Sequence, residues 1–514
     1  MKSGENIIRP LWVTFGLLTL VIIAYVLFQY PQPGVADQGD FDRVMFVSGL
    51  ELKAEYINNP NRFLDYTVTN YKISEVSLLS PLSRLKATSI SYVITLITLL
   101  CKTFGQDTFK TGYLAIAYIL MYVFAMFVII KYLNIDNKLR LTFFMSVALL
   151  VFLDGNYLVW FNSLYGEPMM ITTLMLYIAA WVYYIHHRNV LKSEEKVFSK
   201  IMFVYLAAFL FLGSKMQVLS ALPVILFMLG RLFWENRHLL KPYQAGLLCL
   251  LYFILIAYPL GLNLVNKDIS KDTQYDSVFY GILKDASNPA QDLIDMGLNP
   301  DLAVDAGKHS FLEKGEYIKY VPHSQITQEE FYSKMSNAKL VKFYLTHPSR
   351  LLEGMKYTAS QAFFTSSFLG KYSREYSETP VREFNRFTLW SSFREHQLPK
   401  NLFFLVVIFA AVLITSLITF VKNKGLSEIT ARIQLLWGIM LIGLLQFPMP
   451  FVGNGQADTS KQLYLFNFVF DVIVVVSFCW CLNQLLDFSY SKKSLEKSQG
   501  NIDFRQSRQL TPNK

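Results

Sequence analysis

The residues best suited to chemistry in this sequence are charged side chains that lie next to apolar segments. The densest group is in ADQGDFDRVM, where Asp37, Asp40, Asp42 and Arg43 occur within seven residues. If this stretch is helical, Asp37, Asp40 and Arg43 share one face, because residues three apart are neighbours on a helix. A carboxylate on that face is a candidate general base if it reaches the proton that it abstracts. The alternative is a solvated interfacial loop in which Asp40 only caps a helix that begins at Phe41.

A second group lies in DGNYLVWFNSLYGEP, residues 154–168, which joins two apolar segments. Its aromatic rings, including Tyr165, could stack on a sugar ring. The side chains of Asp154, Asn162 and Glu167 could bind sugar hydroxyls. The alternative is an aromatic belt at the membrane interface, where Trp and Tyr are enriched. A belt does not need the two carboxylates, and both interpretations stay open.

A lysine interrupts a long apolar stretch at Gly213-Ser214-Lys215-Met216-Gln217. Its charge either extends to the membrane interface or faces a polar cavity where it binds an anion. In the second case, with Ser214 and Gln217 beside the lysine, the anion could be a phosphate.

A short polar segment, GNGQADTSK at 453–461, precedes the last apolar segment. It is either a simple turn or a loop in which Asp458 and Lys461 close the same cavity. The sequence does not decide between the two.

The composition shows what kind of protein must position these residues. Of 514 residues, 17% are charged and 53% are apolar, whereas soluble domains average about 25% charged residues. These values exclude a disordered protein and argue against a cytosolic enzyme, which must present a charged surface to water. The composition is typical of a polytopic membrane protein.

Apolar segments of membrane-spanning character recur along the chain. They lie at 11–28, 86–104, 108–131, 139–153, 168–185, 201–230, 243–264, 401–421, 433–451 and 462–482. The segment 201–230 is broken at Gly213, so it could form two helices. We therefore predict an all-α polytopic integral membrane protein of about 10–12 transmembrane segments.

The polar stretches between these segments suggest a division of the chain. We predict an amino-terminal membrane module at 1–264 that includes a first extracytoplasmic loop at 31–85. A large extracytoplasmic loop at 265–398, carboxy-terminal membrane helices at 399–484 and a basic cytoplasmic tail at 485–514 follow. Both external loops are expected to be helical, because long loops in compact proteins are usually functional and folded.

Helix-start signals support a helical large loop. Asn288-Pro289, Asn299-Pro300 and His347-Pro348 each place a proline where a first helical turn could begin. The segment 327–346 alternates apolar and charged residues at helical spacing.

The net charge of +10 comes largely from basic residues that flank apolar segments. Such residues mark cytoplasmic loops, so the stretch 186–200 and both termini are expected inside. Anionic membrane lipids are then the expected partner, and nucleic acid is not, because no recognition module accompanies the charge. Simple alternation from the first loop contradicts the placement of 186–200, so one segment between 86 and 153 is expected not to cross fully.

The sequence has no P-loop, dinucleotide-binding glycine fingerprint, HExxH motif, CxxC pair or serine-hydrolase elbow. A nucleotide-driven pump is therefore excluded. Carboxylates, a buried cation and aromatic residues on the external face favour either chemistry on a lipid-linked anionic substrate or its transport.

The order of these features resembles the GT-C class of membrane glycosyltransferases. One amino-terminal helix precedes an external loop that opens with acidic residues, and many helices and a large external helical loop follow. Within the class, the chain is similar to bacterial hexose transferases of surface-glycan clusters (WsfD-like). The similarity runs from about residue 10 to 482, through ADQGDFDRVM, FNSLYGEP, FYGILKDASNPAQDLIDMGLNPDLA and GQADTSKQLYLFNFVFD.

The resemblance implies a polyprenyl-phosphate-linked sugar donor, a glycan or polymer acceptor, and an active site on the extracytoplasmic side of a bacterial cell membrane. It implies that an acidic residue of the first external loop is the catalytic base, with Asp40 the first choice and Asp37 the second. Many GT-C loops have adjacent acidic residues or an Asp-x-Asp pattern. This chain has both Asp37-x-x-Asp40 and Asp40-Phe-Asp42, so a divalent metal (Mg²⁺ or Mn²⁺) stays possible, and no cofactor is certain.

The residue roles expected for such a transferase form three sets. The catalytic candidates are the two aspartates just named. The donor-phosphate candidates are Arg43, Lys215 and Gln217, since cations stabilise the charge of a leaving phosphate. The sugar or acceptor candidates are Asn162, Tyr165, Glu167, Asp154, Asp458 and Lys461. The alternative function is a transporter or flippase of a lipid-linked saccharide, although no internal repeat supports it.

Overall fold

The computed structural model describes residues 2–57, 62–75, 79, 86–135, 137–265 and 267–509. The side chains of 2–8, 267–270 and 488–509 are not described. The basic side chains expected in the tail therefore lie, from residue 488 onward, outside the described residues.

The first half of the described chain contains long apolar helices, shorter helices between them, and the first loop after the first helix. In chain order the helices are α1 (Lys2–Ile23), α2 (Phe41–Ser48), α3 (Ala54–Ile57), α4 (Ser89–Thr103), α5 (Thr111–Tyr132), α6 (Lys138–Phe152), α7 (Gly155–Leu158), α8 (Glu167–Ile185), α9 (Val197–Leu212), α10 (Leu222–Asn236) and α11 (Pro242–Val265). Shorter π or 3₁₀ turns adjoin several of them at Ala24–Phe28, Val159–Asn162, His186–Val190, Met216–Ala221 and Arg237–Leu239.

The large loop is built from short helices, and long helices return after it. They are α12 (Lys267–Tyr275), α13 (Pro289–Asp295), α14 (Gln325–Thr327), α15 (Asn337–Thr346), α16 (Pro348–Ser360), α17 (Leu389–Gln397), α18 (Leu402–Lys422), α19 (Ser427–Gln446), α20 (Met449–Asn454), α21 (Thr459–Gln462) and α22 (Tyr464–Gln509). Further π or 3₁₀ turns occur at Asp276–Ile282, Pro300–Asp305, Lys314–Glu316 and Gln328–Tyr332.

The prediction of a polytopic, mainly helical membrane protein is confirmed. Among the described residues, eight helices are long and apolar enough to cross a membrane, and the bent pair formed by 138–152 and 155–162 is a ninth candidate. Helix α9 has only 16 residues, but it packs antiparallel to α8 and ends beside Gly166. If α9 and the bent pair are both counted as spans, the described residues contain ten, the lower limit of the expected range, whereas length and composition alone give eight or nine.

Helix α4 explains the topology conflict in the sequence. Its first residue, Ser89, bonds to the carbonyl of Gly213 at the end of α9. Its last turn places Lys102 Nζ 2.6 Å from the carbonyl oxygen of Ser74 in the first loop. Both ends of α4 therefore lie at the same end of the bundle, which confirms that one segment between 86 and 153 does not cross.

A small antiparallel sheet, which the sequence did not predict, joins the first loop to the residues just before α5. It consists of β1 (Leu50–Glu51), β2 (Asn70–Ile73) and β3 (Thr108–Lys110), in the order β1-β2-β3. Leu50 faces Ile73, and Tyr71 faces Phe109. The strands are too short to show alternation in the sequence, and long-range pairing forms them.

The large loop encloses a hydrophobic cluster of its own, which includes Phe279, Leu302 and Phe331. Three of its helical segments begin at the expected prolines, and the side chains of Asn288 and Asn299 cap the first two. The segment 327–346 is not one helix, however. It divides after Tyr332, and Ser336 caps a new helix by accepting a hydrogen bond from the backbone of Lys339.

Helix α8 is the centre of the bundle. Most residues of the span from Glu167 to Val190 are buried inside the protein. It packs against α5, α9, α19 and α22. A polar residue at the start of this helix therefore lies inside the protein, at the end of the bundle that carries both long loops. We call this the site end.

Candidate functional site

The first element of the site is a buried ion pair at the start of α8. The carboxylate of Glu167 is 0% exposed, and its Oε1 accepts a hydrogen bond from Lys215 Nζ at 2.5 Å. Lys215 lies in the break between α9 and the turn Met216–Ala221, so the lysine that interrupts the apolar stretch faces inward. A carboxylate at a helix N-terminus is also favoured by the helix dipole.

The second element is an ion pair between residues that are far apart in the sequence. Asp40 precedes α2, and its Oδ2 lies 2.5 Å from Nζ of Lys461 in α21. The Asp40 side chain is 36% exposed, whereas that of Lys461 is 12% exposed. The pair therefore opens to solvent on the side of the aspartate.

The two ion pairs are electrostatically coupled. Burial opposes ionisation of Asp40, but Lys461 and then Lys215 outweigh it and hold the pKa of this carboxyl well below its usual range. Tyr165 lies against Lys461, whose Nζ is 4.6 Å from the centre of the tyrosine ring. We call Asp40, Lys461, Glu167, Lys215 and Tyr165 the charge cluster.

Asp37 has a different environment from Asp40. It is buried, and its Oδ1 accepts backbone hydrogen bonds from Gly39, Asp40 and Phe41 at 2.8, 3.0 and 3.2 Å. Burial raises its pKa, against the effect of these bonds. The helix does begin at Phe41, but the side chain of Asp40 makes no capping bond. Asp37 stabilises the turn before this helix instead, because its carboxylate accepts these three backbone hydrogen bonds.

Two other predicted residues lie at the edge of the charge cluster. Arg43 is partly exposed, with a guanidinium nitrogen 3.5 Å from Oδ1 of Asp40. Asp458 is exposed and accepts a hydrogen bond from the side-chain amide of Gln38 at 2.8 Å. Gln38 also lies 3.4 Å from Nζ of Lys461. The loops around Asp40 and Asp458 therefore meet, as the interpretation of the 453–461 segment as a cavity wall predicts.

Two residues predicted to bind sugar serve in packing instead. The side chain of Asn162 donates to the carbonyl of Leu27 at 3.1 Å and accepts from Gln32 at 3.2 Å. Asp154 accepts from the backbone of Asn156 and of Ser391, both at 2.9 Å. Both are buried, and the bonds of these amide and carboxylate groups join separate segments of the chain.

Gln217, which was predicted to bind the donor phosphate, also serves in packing. Its amide donates to the side chain of Gln446 at 3.2 Å and to the carbonyl of Gln462 at 3.1 Å. These bonds hold the break before α10 against α19 and α21. Tyr165 belongs to the charge cluster and also serves in packing, since its hydroxyl donates to the carbonyl of Ala36 at 2.8 Å.

A cavity of about 210 Å³ adjoins Lys461 and Asp458. Its far wall comes from the large loop and consists of the segment 364–369 with Tyr357 and Gln361. Aromatic rings and hydroxyl or amide groups therefore face one another across a space next to the charge cluster.

Sequence reasoning missed this far wall. The signal was three consecutive hydroxyl residues, Thr365, Ser366 and Ser367. The buried carboxylate of Glu395 fixes their backbone, because Oε1 accepts from the amides of Thr365 and Ser366 at 2.7 and 2.8 Å. Asn467 adds a hydrogen bond from Phe363, so α17 and α22 together position the wall.

The carboxylates near the site do not form a metal-binding group. Asp40 is paired with Lys461, Asp37 with backbone amides and Arg62, and Asp42 with the same arginine. Within the described part of the chain, no three His, Cys, Asp or Glu side chains come together in a way that could hold a metal ion.

The comparison with known families agrees with this architecture. The profile of the YfdI N-terminal transmembrane domain family matches residues 1–502, almost the whole chain. No curated protein and no solved structure matches the chain. The YfdI family is a glycosyltransferase family, so the match supports a multi-pass membrane glycosyltransferase at this coarse level, and the GT-C type stays a prediction. The narrower WsfD-like assignment stays a prediction. The chain belongs to the YfdI N-terminal transmembrane domain family.

Proposed function

We propose that the protein transfers a hexose from a polyprenyl-phosphate donor to a hydroxyl of a cell-surface glycan or polymer, at the extracytoplasmic face of a bacterial membrane. The observation that carries the proposal is the ion pair of Asp40 and Lys461, which is open to solvent and lies beside a second cation, Lys215. A carboxylate for the acceptor and two cations for a phosphate are the groups that such a transfer needs.

The proposed reaction is a single displacement at the anomeric carbon. The acceptor oxygen attacks C1 of the hexose, and its proton passes to the carboxylate of Asp40. The bond between C1 and the phosphate oxygen breaks, and its electron pair leaves with the polyprenyl phosphate. Lys461 and Lys215 stabilise the negative charge that develops on the leaving phosphate, in a partly buried place where such charges interact strongly.

The ion pair with Lys461 also suggests how Asp40 is activated. A carboxylate whose pKa is held far below its usual range is a weak base. A phosphate that binds Lys461 competes with Asp40 for the same ammonium group. When the cation is shared, the pKa of Asp40 rises, so the base gains strength only when the donor is present. Donor binding and base activation are thereby coupled through one lysine.

The cavity beside the charge cluster is the proposed place of the transferred sugar. Trp160 and Tyr464 contribute aromatic rings, while Ser366 and Gln361 contribute hydrogen-bonding groups. Its volume is only about 210 Å³, so the long lipid chain must lie outside it. The solvent-exposed side of the site, at Asp40 and Arg43, is left for the acceptor.

The test is a transfer assay in membranes that are supplied with a polyprenyl-phosphate hexose and an acceptor glycan. We expect Asp40→Asn to lower the rate by about 10²–10⁴-fold, the range for loss of general acid–base catalysis. The matched control is Asp42→Asn, two residues away and 62% exposed, which should keep nearly full activity. Full transfer by Asp40→Asn would refute the assignment of the base.

The side of the membrane is tested separately, by labelling single cysteines with a membrane-impermeant thiol reagent in intact cells. The native cysteines are first replaced by serine. We expect labelling of Lys314→Cys in the large loop but not of Lys424→Cys at the opposite end of the bundle. The reverse pattern would place the site in the cytoplasm.

A further inference from the structure

A second, larger cleft lies at the end of the bundle opposite the site end. Its volume is about 980 Å³, near the upper limit of about 1,000 Å³ for small-molecule sites. Helix α5 shows the separation. It begins with Thr111, near Gln32 at the site end, and its last turn carries Lys131 on the cleft. Its 22 residues correspond to about 33 Å, so the cleft is separate from the charge cluster.

The rim of this cleft is basic. Lys131, Lys196 and Lys200 line it, and of the described lining residues only Glu195 is acidic. Lys131 and Lys196 are exposed, whereas Lys200 is buried and donates to the carbonyl oxygen of Glu195, not to a carboxylate. The nearby ion pair at 3.1 Å uses Arg188 and Glu194. The rim therefore keeps an excess of positive charge.

The floor of the cleft is apolar and aromatic. Trp12 of α1 stacks on Phe127 of α5 with ring centres 5.7 Å apart, and Phe124 lies edge-on to Phe203 of α9 at 6.4 Å. Phe124 is one of the exposed large apolar residues. It precedes Lys131 by seven residues, or about 10 Å along the helix. The floor therefore extends from the basic rim toward the middle of the membrane-spanning helices.

We propose that this cleft binds an anionic phospholipid of the surrounding membrane. Its phosphate lies at Lys131 and Lys196, and its acyl chains lie over Phe124 and Phe127. Basic groups beside spanning helices attract anionic headgroups, each contributing a favourable electrostatic interaction. A free anion would use the rim but would gain nothing from an aromatic floor, whereas a lipid uses both. The proposal does not depend on the transfer reaction.

The test is native mass spectrometry of the purified full-length protein titrated with phosphatidylglycerol and, separately, with phosphatidylcholine. We expect the unmodified protein to bind phosphatidylglycerol more tightly. The double variant Lys131→Gln/Lys196→Gln should bind it about 25-fold more weakly, or about fivefold for each lysine removed. Because both side chains are exposed, the variant should remain folded, and its melting temperature checks this.

The matched control is Lys422→Gln/Lys424→Gln, which removes two exposed lysines at the same end of the bundle but outside the cleft. It should bind phosphatidylglycerol as the unmodified protein does. Phe124→Ala should weaken binding of the lipid several-fold. Unchanged binding by the double variant, equal binding of phosphatidylcholine, or displacement of the lipid by an equal concentration of inorganic phosphate would overturn the proposal.

Discussion

Two of the ion pairs that attach the carboxy-terminal part of the chain to the rest of the protein differ in their access to solvent. The pair of Asp40 and Lys461 opens toward solvent at the site end. The pair of Arg394 and Asp471 joins α17 to α22 and is 0% exposed on both sides. Arg394 also donates to Tyr157 and Thr365. The guanidinium is therefore surrounded by acceptors and closed to solvent.

The difference shows how this protein separates chemistry from architecture. A fully enclosed pair exchanges neither protons nor partners, so its role is to fix the geometry of the elements around it. A pair with one open side can release its cation to a ligand. The buried pair nevertheless supports the open one, because α17 also carries Glu395, which fixes the far wall of the cavity.

The largest effect on stability is expected from breaking the enclosed pair. Arg394→Met leaves the carboxylate of Asp471 buried without its cation, which costs about 3–5 kcal/mol of the free energy of unfolding. Thermal unfolding in detergent measures the loss. The double variant Arg394→Met/Asp471→Leu should recover most of it, because no buried charge is then left. A single variant as stable as the unmodified protein would remove the distinction between the two pairs.

Breaking the open pair should affect the rate of transfer more than the stability. Lys461→Met should change the free energy of unfolding by only about 1 kcal/mol, because the partly exposed carboxylate of Asp40 can be solvated by water once the cation is lost. It should lower the rate of transfer by about 10²-fold, because the leaving phosphate loses a cation. Transfer assays and unfolding of the same preparation test this together. A large loss of stability with little loss of activity would make this pair architectural as well.

A smaller effect is expected at the link between the two regions. Glu395→Gln removes charge-assisted acceptors from Thr365 and Ser366, at a cost of about 2 kcal/mol. Because the wall of the cavity loosens while the charge cluster is untouched, KM for the donor should rise more than kcat falls. A fall in kcat with KM for the donor unchanged would mean that the wall does not contact the donor.

The smallest effect concerns a buried lysine that has no carboxylate partner among the described residues. Lys371 donates to carbonyl oxygens of Ser367 and Leu369, and burial, with Arg382 nearby, lowers its pKa to about 7. Its pKa is higher in the unfolded chain, so the burial cost is full below pH 7 and decreases as pH rises above it. The stability advantage of Lys371→Met should therefore shrink by about 1 kcal/mol from pH 7 to pH 8, as unfolding at each pH would show. An advantage that does not change with pH would contradict this.

Local patterns in the sequence were sufficient for much of the fold. Long apolar segments predict spanning helices because hydropathy needs no partner residue, and Pro289 and Pro348 start helices through their own backbone geometry. The sheet was missed, because its three strands are short and pair across the first loop and the start of α5. Helix α4 was apolar enough to resemble a span, and only its contacts at both ends show that it does not cross.

At the site, too, local sequence patterns and long-range contacts determine different features. The sequence by itself determined which scarce charges lie beside apolar segments, and Asp40, Glu167, Lys215 and Lys461 all stand out in that way. Only the tertiary structure decided their partners, since Lys461 meets Asp40 across 421 residues. It likewise directed Asp154, Asn162 and Gln217 into packing. The physical reason is that the cost of burying a polar group is set locally, whereas the partner that offsets this cost is supplied by whichever distant segment packs against it.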